Sequence, residues 1–215
     1  MPDVIISGPA GRLEGRYYHA STPGAPIALL LHPQPQAGGT MNNKVVYTAY
    51  QAFRAREFSV LRFNFRGVGR SQGSFDRGEG ELFDAASALD WLQAYNPNAH
   101  SCWVCGFSFG SWIGLQLLMR RPEIAGFIAI APPVMIYDFS FLAPCPTSGL
   151  IVHGGDDPIS PLAGIAPLVA RLARQKDIAV EHVVIKGTDH FFRDKLDALT
   201  RAIDAYVGKR LKQLA

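Results

Sequence analysis

A chain of 215 residues, 48% apolar and 18% charged, can bury most of its apolar surface in one globular domain, here expected to span residues 1–215. A net charge of +3 excludes the strongly basic signature of a nucleic-acid binder, and Lys209, Arg210 and Lys212 fit a solvated helix end. Three cysteines argue against a disulfide framework and for a reducing compartment; with no secretory n- and h-region and no run of about 18 apolar residues, the expected setting is cytoplasmic, with no membrane partner.

In chain order, residues 4–6 and 13–18 predict an opening hairpin joined through residues 8–11. The unbroken apolar run 27–31 predicts a strand buried on both faces of a parallel sheet. It leads into a loop rich in proline and glycine, residues 32–40. A helix is expected over 43–57 and a strand over 59–65. Gly67 and Gly69 follow that strand, but the next glycine of a dinucleotide fingerprint falls one residue late, at Gly73, so a nucleotide cofactor is not expected. A helix is expected over 79–95, with Leu82, Ala86, Leu89 and Leu92 as its apolar stripe and Asn96-Pro97 as its stop.

A short strand at 101–105 then meets Gly106-Phe107-Ser108-Phe109-Gly110, and helical apolar spacing resumes until Pro122. Serine between a strand and a helix, with glycine two residues to either side, is the G-x-S-x-G pattern of a nucleophile elbow. The spacing has a steric reason: a serine pushed out on a sharp turn sits in strained backbone, and side chains at either glycine would collide with the neighbouring strand or helix. The helix that follows would aim its free N–H groups at the site. Cys102 and Cys105 make a C-x-x-C inside this strand, but no second ligand pair follows; buried structural thiols are expected, and no metal.

A strand is expected over 124–131, an irregular aromatic stretch over 132–146 with Tyr137, Phe139 and Phe141, a strand over 150–153, a helix ending near residue 175, a strand over 180–185, and a closing helix over 191–210. Strands alternating with helices predict an α/β fold with a mostly parallel sheet of seven or eight strands, covered on both faces.

Ligands of such sheets bind beyond the carboxyl ends of the strands, where this chain places His32, Ser108, Asp156, Asp157 and His190. A serine hydroxyl needs a base in hydrogen-bond reach, and the base needs a carboxylate to fix its tautomer. Of the six histidines, His182 lies inside a strand, His19 and His100 lie at turns, and His153 ends a strand ahead of the acidic loop. His190, between the last strand and the last helix, is the expected base. Spacing leaves Asp156 and Asp157 open as the acid, while Asp189 is adjacent to His190 and would point elsewhere. Two N–H groups are required for an oxyanion. Phe109, after the serine, is one; because Pro33 and Pro35 have no N–H, Gln34 is the other, with Gln36 second.

These pieces, with the segment from Phe65 to Ser71, the run His153-Gly154-Gly155-Asp156-Asp157-Pro158 and the run Gly187-Thr188-Asp189-His190-Phe191, make the chain resemble an α/β-hydrolase over nearly its whole length. More narrowly it is similar to small bacterial serine hydrolases related to dienelactone hydrolases, which share His32-Pro33-x-Pro35-x-x-Gly38-Gly39-Thr40-Met41. The resemblance implies Ser108 as nucleophile, Asp157 as acid and His190 as base, acting on a small-molecule ester or thioester without a cofactor. Dienelactone hydrolases proper carry cysteine at the elbow, where this chain has serine. Relatives that carry a helical cap insert it where this chain has only residues 132–146, so an open site with no large cap is expected, bordered by His32, Tyr137, Phe139 and Phe141. A peptidase of the same fold is one alternative. A non-catalytic small-molecule-binding protein is another, whose expected mark would be a broken Ser-His-Asp set; none is broken here.

Overall fold

The computed structural model describes residues 2–214. Its elements are β1 (Asp3–Gly8), β2 (Gly11–Tyr18), β3 (Ile27–Leu31), α1 (Lys44–Ala55), β4 (Ser59–Phe63), α2 (Glu79–Ala94), β5 (Cys102–Phe107), α3 (Phe109–Leu118), β6 (Ile124–Ile130), β7 (Gly149–Gly154), α4 (Leu162–Leu172), β8 (Val180–Ile185) and α5 (Leu196–Leu214). The eight strands form one sheet in the order β1-β2-β4-β3-β5-β6-β7-β8. The β1–β2 and β2–β4 pairings are antiparallel and the rest parallel. This is the architecture expected from the alternation of strand and helix.

Period-two alternation divides the central strands between two cores. Ile27, Leu29 and Leu31 of β3 face the cluster that contains Leu89 of α2, Ile113 of α3 and Ile165 of α4. Ala28 and Leu30 face the cluster with Phe53 of α1 and Leu199 and Ile203 of α5. The same alternation separates the C-x-x-C. Cys102 belongs to the first cluster and Cys105 to the second, because residues three apart on a strand point to opposite faces. The two thiols therefore share no ligand and form no bridge. Burial pushes Cys102 up to about 12 and raises Cys105 and Cys145 as well. Native protein should accordingly show no thiol reactive toward Ellman's reagent, and three once denatured; one fast-reacting thiol in the native state would contradict this packing.

Three expectations are corrected. The buried stripe of α2 runs through Glu81, Asp84, Ala85, Ala88, Leu89 and Leu92, while Leu82 and Ala86 are only half-buried. The shift has an electrostatic cause. Asp84 receives Arg66 through Nε (3.0 Å), Nη2 (2.8 Å) and the backbone N–H (3.0 Å), and Glu81 accepts from the N–H of Gly78 (2.7 Å) and of Asp76 (2.9 Å). Two carboxylates thus face inward to pin the loop between β4 and α2, and a hydrophobic pattern cannot show that.

Strand β4 stops at Phe63 rather than at residue 65. The Asn64 N–H turns to the Glu14 carbonyl (2.8 Å), and the Phe65 N–H turns to His32 (3.0 Å). The last helix begins at Leu196 rather than near 191. Phe192 and Asp194 have φ of 54° and 60°, a left-handed conformation that no α-helix continues through. Among the described residues no helix is long and apolar enough to cross a membrane.

Candidate active site

Ser108 stands where β5 ends and α3 begins, at φ 53° and ψ −119°, outside the regions an L-residue favours. The surroundings enforce this conformation. The Ser108 N–H donates to the Ile130 carbonyl (2.8 Å), and its own carbonyl accepts from the Ser111 hydroxyl (2.6 Å). A Cβ on Gly106 would overlap the Gly110 carbonyl, and one on Gly110 would overlap the Leu31 carbonyl. Both elbow positions demand glycine for the steric reason inferred from their spacing, and the missing side chains let α3 start directly against the end of β3.

The loops after β7 and β8 meet the elbow. Gly155 N–H donates to Ile185 O (2.8 Å) and Asp156 N–H to Thr188 O (3.0 Å), while the absent side chain of Gly154 leaves room for the Asp189 carbonyl. Asp189 braces its own loop by accepting from the N–H groups of Phe191 (3.0 Å) and Arg193 (3.3 Å). With these loops tied together, His190 is buried between Phe107 and Phe191 (ring centroids 5.2 and 5.3 Å away). Its Nδ1 lies 2.7 Å from Asp157 Oδ2 and its Nε2 lies 2.9 Å from Ser108 Oγ. A carboxylate oxygen only accepts, so Nδ1 carries the proton and Nε2 is free to accept from the serine hydroxyl.

The other oxygen of Asp157, Oδ1, accepts from the N–H groups of Ile159 and Ser160, both at 2.8 Å. Burial alone would raise this carboxyl; the hydrogen bonds from His190, Ser160 and Ile159 outweigh it and hold it below the usual carboxylate range. Asp156, the other acid the spacing left open, is exposed, and it is Asp157 that His190 Nδ1 meets. His153 supports the acid loop. The Ser160 hydroxyl donates to Pro132 O (2.6 Å), so His153 Nε2–H donates to Ser160 at 3.0 Å.

His32 is not where its place after β3 suggested. It is fully buried and does not line the cavity above Ser108. The Phe65 N–H donates to its Nε2 (3.0 Å), which leaves Nδ1–H to donate to the Pro33 carbonyl (2.7 Å). Burial lowers its pKa to about 4, and the ring is neutral. Its role is internal: it holds the carbonyl of the very peptide group whose N–H is that of Gln34. That N–H and the one of Phe109 have no acceptor among the described residues, and both residues line the cavity with Ser108 and His190. The Gln36 N–H turns to the Gln34 side chain (3.5 Å).

The cavity holds about 290 Å³. Tyr137 lines it, as expected. Phe139 and Phe141 do not: Phe139 is buried at 4% exposure in the core and Phe141 packs on that core, with their rings stacked 6.2 Å apart. Aromatic side chains in an irregular segment gain more by burial than by facing solvent. Pro133, Ile136, Ile159 and Phe191 complete the apolar wall and were not singled out from the sequence. The last two were within reach, since Ile159 follows the acid by two positions and Phe191 adjoins His190.

The arrangement can do one thing plainly: it offers a hydroxyl with an acceptor nitrogen in reach, beside two unspent N–H donors and an apolar cavity. Comparisons with known proteins place it in a lineage. A family model described as "Serine aminopeptidase, S33" matches residues 38–146. An uncharacterised protein of Rickettsia prowazekii is 54% identical over 211 residues, covering 96% of this chain and 89% of its own. The crystal structure of a protein of unknown function from Agrobacterium tumefaciens, assigned there to the α/β hydrolases, is 56% identical with a TM-score of 0.96, over 99% of this chain and 97% of that one. A Xanthomonas campestris protein described as an α/β serine hydrolase without lid is 33% identical with a TM-score of 0.86, over 97% and 94% of the two chains. Alike in fold over almost its entire length and well above the identity at which folds alone coincide, the chain belongs to the α/β serine hydrolase family.

Proposed function

We propose that the protein cleaves carboxylic ester or thioester bonds through an acyl-enzyme. One observation carries the reading: Ser108 Oγ, His190 and Asp157 lie in an unbroken hydrogen-bonded line of 2.9 and 2.7 Å, and Ser108 and His190 line a cavity with largely apolar side chains around them. In the proposed reaction Ser108 Oγ attacks the acyl carbon while His190 Nε2 takes its proton. Asp157 stabilises the imidazolium through Nδ1–H. The N–H groups of Gln34 and Phe109 receive the negative charge on the former carbonyl oxygen. His190 gives the proton to the leaving alkoxide or thiolate; a water, deprotonated by the same nitrogen, then releases the acid and restores Ser108.

The family model's description raises a second reading, an aminopeptidase. A free ammonium group beside the scissile bond requires a counter-charge, and no residue that lines the cavity is a carboxylate. That weighs toward esters. The test combines labelling and turnover. A fluorophosphonate probe should label the native protein and fail on Ser108→Ala, and p-nitrophenyl esters of graded chain length should turn over where aminoacyl p-nitroanilides do not. Absence of labelling on well-folded protein would remove the enzyme reading and favour a binding protein. Preference for the anilides would favour the peptidase.

A further inference from the structure

We propose that Tyr137 is a positioning residue for the ester-cleaving site, acting through Gln34 rather than on the substrate; this rests on the reading given under Proposed function. The loop 33–39 supplies one of the two N–H donors, and its backbone is folded tightly upon itself. The N–H groups of Ala37 and Gly39 both donate to Gln34 O, at 3.1 and 3.0 Å, and a Cβ on Gly39 would overlap the Pro33 carbonyl. His32 fixes the base of the loop through Pro33 O (2.7 Å). Those bonds hold the loop together but leave its placement over the cavity to whatever it touches on the far side.

That contact is Tyr137. Gln34 Nε2 donates to the phenol oxygen at 2.7 Å, across 103 residues of chain. Tyr137 is itself held on three sides. Its ring stacks on Trp112 at 4.5 Å and 16° and meets Phe109 at 5.7 Å and 63°. Trp112 Nε1 in turn donates to the Asp138 carbonyl (2.9 Å), and the Tyr137 N–H donates to Pro133 O (3.0 Å). One side chain therefore touches both cavity-lining residues whose N–H groups are unspent among the described residues: Phe109 by its ring and Gln34 by its hydroxyl. Removing the hydroxyl leaves the ring packing in place and frees Gln34.

A double-mutant cycle on p-nitrophenyl butyrate hydrolysis tests this. Tyr137→Phe should lower kcat about tenfold with KM within about twofold, since a donor moved off its mark weakens only the transition state. Gln34→Leu, which keeps the backbone N–H, should do the same. The double variant should be no worse than either one. Affinity for butylboronic acid, whose tetrahedral adduct on Ser108 mimics the oxyanion, should fall in step with kcat, and the unfolding midpoint should stay put. Losses that multiply in the double variant would overturn the proposal in favour of direct contact between Tyr137 and substrate. A wild-type kcat in Tyr137→Phe would overturn it outright. Should that variant not fold, Gln34→Leu decides alone, at the other end of the same bond: a tenfold kcat loss with KM kept supports the proposal, an unchanged kcat ends it. Wild-type protein that neither labels with fluorophosphonate nor turns over any ester would instead sink the hydrolase reading itself.

Discussion

Asp157→Asn should lower kcat for p-nitrophenyl esters by more than a hundredfold, toward the roughly 10⁴-fold seen when a buried acid of this kind is neutralised, while Asp156→Asn stays within about twofold of wild type. The size follows from how the carboxylate is held. Oδ1 accepts two backbone N–H groups, from Ile159 and Ser160. An asparagine must therefore place its oxygen there and turn its NH₂ toward His190. The NH₂ can only donate, so Nδ1 must become the acceptor and the ring proton moves to Nε2. A protonated Nε2 cannot take the proton of Ser108. The expected signature is a collapse of kcat with KM and the unfolding midpoint nearly unchanged, measured by steady-state kinetics beside thermal denaturation. Equal, mild losses in both variants would mean that His190 does not work through Asp157; a large loss confined to Asp156→Asn would move the acid to the exposed neighbour.

His32→Ala should destabilise the fold by about 3 kcal/mol at pH 8 and also reduce turnover. The substitution strands the buried Phe65 N–H, at about 1–3 kcal/mol for a donor left without a partner, and opens a cavity beside Phe65, whose ring now packs on the imidazole at 4.7 Å. It also frees the Pro33–Gln34 peptide group, one of whose ends is a proposed oxyanion donor.

The same residue predicts acid sensitivity, with a definite sign. His32 and His153 have pKa values lowered to about 4 by burial, against 6.5 for an exposed ring. Between those values the unfolded chain binds protons that the folded chain refuses, so stability falls as pH drops from about 6.5 toward 4 and is fully present above that range. Each ring is worth about 3 kcal/mol over the window. Asp157, whose carboxyl is held low, adds a loss only below its unfolded pKa, near 4 and beneath, as pH falls through the folded value. Urea midpoints taken from pH 8 to pH 4 should trace this decline, and His32→Ala should flatten part of it. A variant as stable as wild type, with the same slope, would show that the imidazole is not held neutral by burial.

Much of this was legible along the chain because the signals are short and local. The unbroken run Ile27–Leu31 announces a strand covered on both faces, and the glycine spacing around Ser108 announces a turn with no room for side chains. The order of Ser108, an aspartate at 156 or 157 and His190 could be read from loops that follow strands, and the family resemblance put the acid at Asp157. The α2 stripe was misplaced because Asp84 and Glu81 are buried on polar partners, Arg66 for the one and the N–H groups of Asp76 and Gly78 for the other, and hydrophobic periodicity has no place for a buried carboxylate. His32 was misassigned for a related reason. Its position after a strand is that of a ligand-facing residue, yet which way the ring turns depends on the Phe65 N–H, a donor 33 residues on. The division among Tyr137, Phe139 and Phe141 was equally closed to inspection, since an irregular segment has no period to say which aromatics face inward.

What the sequence by itself determined is the alternation that builds the parallel sheet, and the residue types set beyond its strand ends, because both follow from local sterics and burial period. The tertiary structure alone decided that His32 turns away from the cavity, that Tyr137 lines it while Phe139 and Phe141 do not, and that this tyrosine grips the loop after β3. Those outcomes depend on ångström-scale distances between segments dozens of residues apart, fixed only when the loops close over the same end of the sheet.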